Sequence, residues 1–156
     1  MGPRGTLRAL MLAGAAIAAL ATAAPGRAQG RDDAGAASLS VERMSAEAAY
    51  RLAAEGKIVL IDIRPAEGWA ALGVPEGAET VDFYDPMFYE MVDIFVDGDH
   101  DKPVALICNT GGRSEHAALE LRARGYTRTI DVAEGIRGSS AGPGWIERGL
   151  PMSKPR

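Results

Sequence analysis

The sequence predicts an α/β domain with a mainly parallel central sheet flanked by helices on both faces. Two uninterrupted apolar runs, Ile58-Val59-Leu60-Ile61 and Val104-Ala105-Leu106-Ile107, carry that prediction. Neither alternates with polar residues, as a half-solvated strand would, so both read as strands covered on two sides. The third observation is what lies around them: segments with apolar residues at helical spacing. Strands alternating with helices build a layered domain on a parallel sheet.

The elements follow in chain order. Residues 1–28 read as a secretory signal peptide. Arg4 and Arg8 give it a positive start, residues 10–24 are almost wholly apolar and rich in alanine, and Pro25 breaks the run. Gly26-Arg27-Ala28 sets small residues where a signal peptidase reads, so cleavage is expected after Ala28, with Ala23 as the alternative. The run is about 15 residues, shorter than the ~20 that span a bilayer, which weighs against an uncleaved anchor. The expected destination is export, to the periplasm in a double-membraned bacterium. Residues 29–37, small and polar, make a flexible lead-in, and the folded domain is expected over residues 38–152.

A short extended piece over residues 39–41 opens that domain. Ser45 is placed to cap a helix over residues 46–54, with Ala48, Ala49, Leu52 and Ala53 on its inner face and Gly56 past its end. The strand over residues 58–61 runs into Asp62-Ile63-Arg64-Pro65, where proline stops the strand and can open a helix. Phe88, Met91, Val92 and Phe95 form an i, i+3, i+4, i+7 stripe, with Glu90, Asp93 and Asp97 turned away. The second apolar run leads directly into Cys108. A helix over residues 114–124 turns Ala117, Ala118 and Leu121 inward and stops at Gly125. Ile130-Asp131-Val132 is a weaker third strand.

Composition excludes several functions. The formal charge is −4, and loss of residues 1–28 removes three arginines and no acid, leaving −7. An acidic domain without a basic stripe is a poor binder of nucleic acid. It is equally unsuited to an anionic membrane surface once the signal is cleaved. The sequence specifies no protein partner. Cys108 is the only cysteine, so it cannot staple the chain to itself. With only His100 and His116 beside it, no Cys/His metal cluster is expected, and neither a metal nor a cofactor is required.

The neighbours of Cys108 in the chain give it a use. It closes a buried strand, and Asn109-Thr110-Gly111-Gly112-Arg113-Ser114 leads from it into a helix. Sites in parallel α/β sheets form at such boundaries, because helix N-termini gather there. The glycines let the backbone curl until several N–H groups face one point. The helix dipole adds positive potential. Arg113 adds a permanent charge, or props the loop through a carboxylate. Such a cradle favours a thiolate or a persulfide. A nucleophile above preorganised amides is what covalent transfer needs. A cysteine by itself reads better as a small buried hydrophobe; the Gly-Gly-Arg-Ser after it shifts the balance.

Cys108-x4-Arg113-Ser114 after an apolar strand resembles the active-site loop of rhodanese domains, the sulfurtransferase superfamily. Leu60-Ile61-Asp62-Ile63-Arg64 resembles the family's first signature, an Asp-x-Arg after the second strand. Glu67-Gly68-Trp69 with Gly77-Ala78 resembles its next segment. Asp101-Lys102-Pro103-Val104, then Glu134-Gly135-Ile136-Arg137-Gly138 with Trp145 and Gly149-Leu150-Pro151, come in the family's order, so the resemblance covers residues 38–152. One stretch departs. The family's common Gly-His-Ile-Pro-Gly-Ala is here Gly73-Val74-Pro75-Glu76-Gly77-Ala78, without the histidine.

The resemblance implies a rhodanese-like fold and a mechanism. Cys108 would attack the outer sulfur of a small donor such as thiosulfate, release sulfite and keep a persulfide. A thiol or cyanide acceptor would then remove that sulfur. The backbone of Asn109, Thr110, Gly111, Gly112 and Arg113 would cradle the persulfide, with Arg113 fixing the loop. Asp62 and Arg64 would be scaffold near the site, or equally a plain structural ion pair. Arg137 would meet an anionic donor. Two other readings stand beside this one. Related cell-cycle phosphatases use Cys-x5-Arg, a loop one residue longer that holds a phosphate, whereas the loop here suits a single sulfur. The second is a rhodanese-like sulfur carrier or binding module with little turnover.

Overall fold

A computed structural model describes residues 41–155. The expected signal peptide, the lead-in and residues 38–40 of the expected domain lie outside them. Among the described residues, seven strands and five helices run in order: β1 (Glu42–Met44), α1 (Ala46–Ala54), β2 (Val59–Asp62), α2 (Ala66–Leu72), β3 (Val74–Pro75), β4 (Glu79–Thr80), α3 (Phe88–Phe95), β5 (Val104–Ile107), α4 (Gly112–Ala123), β6 (Thr129–Val132), α5 (Gly144–Glu147) and β7 (Met152–Ser153). Five strands make one sheet in the order β1-β6-β5-β2-β4, every neighbouring pair parallel. β3 and β7 form a separate antiparallel pair.

β5 is central, and its four residues are all buried. Its side chains alternate between two cores, as strand geometry requires. Val104, Leu106 and Cys108 join Phe88 and Val92 of α3 and Ala117, Ala118 and Leu121 of α4. Ala105 and Ile107 join Ala46 and Ala49 of α1 and Trp145 of α5 on the other face. Burying each aliphatic side chain of the size of Leu or Ile contributes roughly 1.5–3 kcal/mol, so the unbroken apolar runs fix which strands are central. Helices cover both faces, as the sequence predicts.

The caps obey local chemistry. The Ser45 hydroxyl accepts the Ala48 N–H at 3.2 Å, closing the start of α1. Pro65 stands at the N-cap of α2. The expected inner face of α1 is narrower than its spacing suggests: Ala46 and Ala49 are fully buried, whereas Leu52 and Ala53 are half-buried. β1 lies three residues beyond the extended piece expected at residues 39–41, placed by its register of Glu42 to Met44 against Ile130 to Val132. Two of its three residues are exposed, so it carries no apolar run that sequence reading could detect. β3, β4 and β7 are two residues each, too short to show a period.

The connections diverge where the site lies. β2 sends its chain through α2 to β4 on one side, and β5 sends its chain through α4 to β6 on the other. The C-terminal ends of β2 and β5 therefore bound the crevice at which an open parallel sheet collects its ligands.

Candidate active site

Cys108 is the first residue past the end of β5, at that crevice, and is 2 % exposed. Two hydrogen bonds fasten the chain behind it to the segment leaving β6. The Cys108 carbonyl accepts the Ile136 N–H at 2.9 Å, and the Asn109 carbonyl accepts the Arg137 N–H at 2.9 Å. Two glycines permit this contact. Gly111 (φ 90°) has the Ala133 carbonyl oxygen where a Cβ would stand, and Gly135 (φ 68°) has the Asn109 carbonyl there. Both lie in the left-handed region, which suits a residue without Cβ.

The amide donors of this loop are not consumed internally. None of the N–H groups of residues 109–114 donates to a backbone or side-chain acceptor among the described residues. For residues 112–114 the cause is general, since the first N–H groups of a helix have no carbonyl behind them. Those groups open α4, which runs for twelve residues and adds the positive end of its dipole. α4 starts two residues before the expected position because Gly111 turns the chain directly into it. The loop is therefore a set of fixed donors suited to an anion.

Ser114 lies beneath the thiol. It is fully buried, its Oγ stands 3.5 Å from the Cys108 Sγ, 2.9 Å from the Gly111 carbonyl and 2.6 Å from Oδ1 of Asp131. Asp131 is fully buried in β6, on the same sheet face as Cys108 because its neighbours Ile130 and Val132 belong to the opposite core. Its Oδ2 makes no hydrogen bond, and its nearest cation is the half-exposed Arg43, with Nε at 3.5 Å. Burial pushes the Asp131 carboxyl above the usual carboxylate range, against the opposing pull of Ser114 and Arg43. The sequence reading names Ser114 and misses Asp131. The available signal was a single acid inside an otherwise apolar strand, Ile130-Asp131-Val132.

The other expected residues divide. Asn109 is half-buried with its Oδ1 enclosed and unpartnered, Thr110 and Gly112 are exposed, and Arg113 is half-buried. Arg113 pairs with no carboxylate among the described residues, so it offers a charge to the loop and does not brace it through an acid. Asp62 and Arg64 form a buried fork: Nε to Oδ1 at 2.9 Å and Nη2 to Oδ2 at 2.6 Å. Two of the three remaining guanidinium protons go to the carbonyls of Gly68, at 3.1 Å, and Gly73, at 2.6 Å. Asp62 shares its parity with Leu60, which packs in the core opposite Cys108. The pair thus fixes α2 to the sheet and does not face the thiol, which favours the structural of its two readings. The Arg137 side chain is exposed beside the loop, held there by its own backbone bond to Asn109. Among the described residues no group of three His, Cys, Asp or Glu is arranged to hold a metal ion.

Known proteins resemble this chain in sequence and fold. The family model of the rhodanese-like domain matches residues 45–141. The chain is 32 % identical over 95 residues to the thiosulfate sulfurtransferase GlpE of Pseudomonas entomophila, covering 61 % of this chain and 81 % of that one. Among solved structures, Rv0390 from M. tuberculosis has a TM-score of 0.59 and 25 % identity, over 74 % of this chain and 100 % of that one. The polysulfide-sulfur transferase homodimer from Wolinella succinogenes has a TM-score of 0.51 and 25 % identity, over 74 % of this chain and 80 % of that one. A parallel sheet with a cysteine loop at its switch point, matched along most of its length, makes this chain a member of the rhodanese-like domain family.

Proposed function

We propose that the chain is a sulfurtransferase that carries sulfane sulfur on Cys108 as a persulfide. The observation that carries this reading is the row of unconsumed amide donors from residue 109 to residue 114, beginning directly after the only cysteine. A thiol in wholly apolar surroundings is inert. Cys108 instead has a hydroxyl at 3.5 Å and a helix N-terminus beside it.

In the first step the Cys108 thiolate attacks the outer sulfur of thiosulfate. A sulfur–sulfur bond forms to the enzyme, the donor's own sulfur–sulfur bond breaks, and the electron pair leaves with sulfite. In the second step cyanide or a thiolate attacks the outer sulfur of the persulfide, and the Cys108 thiolate is released. The loop donors hold the terminal anionic sulfur between the steps. Arg113 and Arg137 supply positive potential for an anionic donor. The spacing of Cys108 and Arg113 gives a loop sized for one sulfur, which is the reason phosphate transfer is set aside. Asp62 and Arg64 act only through the scaffold. Residues 1–28, outside the described part, direct the protein to export.

Intact mass after thiosulfate treatment tests the reading. Wild type should gain one sulfur and lose it on addition of cyanide, with thiocyanate formed. Cys108→Ser should fold and gain nothing, and Arg113→Ala should lose most of the rate. A Cys108→Ser protein as active as wild type would falsify the assignment. The 2 % exposure of the thiol favours a second reading, a sulfur carrier with little turnover. Loading without sustained thiocyanate production would select it.

A further inference from the structure

We propose that Asp131 takes up the Cys108 thiol proton through the Ser114 hydroxyl, which makes Ser114 and Asp131 a built-in proton relay behind the nucleophile. The inference rests on Cys108 being the nucleophile. Three groups on one sheet face carry it: Sγ, then Oγ at 3.5 Å, then Oδ1 at 2.6 Å, with Ser114 and Asp131 both fully buried.

The hydroxyl has one proton and two lone pairs, and it stands near three acceptors. With Asp131 ionised, that proton goes to Oδ1, and a lone pair of Oγ is turned to the thiol S–H. With Asp131 neutral, the carboxyl donates to Oγ and the hydroxyl proton turns to the sulfur anion or to the Gly111 carbonyl at 2.9 Å. Ser114 is thus hydrogen-bonded in both protonation states without moving. The transfer balances. The S–H bond of Cys108 breaks as an O–H bond forms on Ser114, and the hydroxyl's own proton passes to Asp131. Cys108 gains the negative charge that Asp131 loses, so an arriving anionic donor meets no added charge.

Asp131 is suited to receive that proton. Its Oδ2 has no hydrogen-bond partner, and burial already favours its neutral form. The charged groups facing it are few. From β1 comes Arg43, at ion-pair distance from Oδ2, and from α4 comes Glu115, which opposes ionisation. On β5 the residue registered against Asp131 is Leu106, which contributes no charge.

The test tracks thiolate formation in the whole chain, by its ultraviolet absorbance and by the rate of alkylation with iodoacetamide across pH. Because the pair shares protons, wild type should gain thiolate in two steps. The lower step should vanish in Ser114→Ala, which breaks the link, and Asp131→Asn, which has no carboxyl to share the proton, should gain thiolate in a single step. Ser114→Thr, which keeps the hydroxyl, should retain the step. Alkylation near neutrality should slow by about tenfold in Ser114→Ala, equivalent to one pH unit, and should not slow in Asp131→Asn, where no carboxylate opposes the thiolate. A purely structural role would lower stability and leave these profiles alone. A single step common to all the proteins overturns the relay. A Ser114→Ala protein that keeps both steps also overturns it, since the carboxylate would then act on the thiolate through space and not through the hydroxyl. Should Asp131→Asn fail to fold, Ser114→Ala against Ser114→Thr decides alone. Wild type that titrates in two steps but takes no sulfur from thiosulfate would sink the sulfurtransferase reading and leave the relay standing.

Discussion

Two buried aspartates flank the central strand, one in β2 and one in β6, and their surroundings are opposite. Asp62 has a guanidinium across both oxygens, and that guanidinium's spare protons reach two carbonyls. Asp131 has one serine hydroxyl and, at 3.5 Å, a half-exposed arginine that makes no hydrogen bond to it. A carboxylate enclosed with its charge fully answered holds structure together. One enclosed with its charge half answered is costly to keep ionised, and that cost is available to chemistry. The sheet separates the two roles physically, since Asp62 faces the core away from Cys108 and Asp131 faces the core that contains it.

The largest expected effect comes from breaking the satisfied pair. Arg64→Ala leaves Asp62 as an unpaired buried charge and strands the Gly68 and Gly73 carbonyls. Unfolding in urea should show a loss of about 3–5 kcal/mol, with the denaturant slope unchanged. The protein that remains folded should still load sulfur from thiosulfate, because the pair lies on the other face. A loss below about 1 kcal/mol would be the value of a surface pair. It would remove the distinction between the two aspartates.

An intermediate effect is expected where the Asp131 side meets the loop. Gly111→Ala forces a left-handed residue to carry a Cβ against the Ala133 carbonyl, one residue past β6. Strain of this kind costs about 1–3 kcal/mol. Activity should fall further than stability, since the loop must lift away from the β6 exit to make room. Thiocyanate formation measured alongside urea unfolding checks this. Equal losses in the two would mean that the loop geometry serves the fold alone.

Much of this could be read from the sequence. The runs ending at Ile61 and Ile107 identify β2 and β5 because burial on both faces demands unbroken apolar residues. Ser45 marks α1 because a cap needs an oxygen at that position. The Cys108 loop is legible because strand, glycines and helix are contiguous in the chain. Asp131 was not legible as a site residue, because its meaning depends on Ser114, 17 residues away, reaching it across the α4–β6 layer. The division between Asp62 and Asp131 was hidden for a related reason. Which face a strand residue takes can be told from the sequence only when one face is polar, and both faces of this sheet are buried.

The smallest effect on stability is expected for Asp131→Asn, and its dependence on pH is the informative part. The amide still accepts from Ser114 and carries no charge, so at neutral pH the change should be a gain of about 1 kcal/mol or less. In wild type the carboxyl is raised above 3.8 in the folded state. Between the unfolded and folded values the native protein holds a proton that the unfolded chain has lost, so stability falls as pH rises through that window. Asp131→Asn lacks this decline. Its advantage over wild type should therefore widen from mildly acid pH upward and level off above the folded value. Glu134 gives the opposite slope for contrast. The Arg148 guanidinium, at 2.6 and 2.7 Å, and then the Ala46 N–H hold its carboxyl below the ordinary value. Its contribution is present above 4.5 and is lost as pH falls through the folded value. Urea unfolding of wild type, Asp131→Asn and Glu134→Gln across pH separates the two trends. A constant difference between wild type and Asp131→Asn would mean that the carboxyl titrates as it does in the unfolded chain. The enclosed charge in β6 would then hold no reserve for the thiol to draw on.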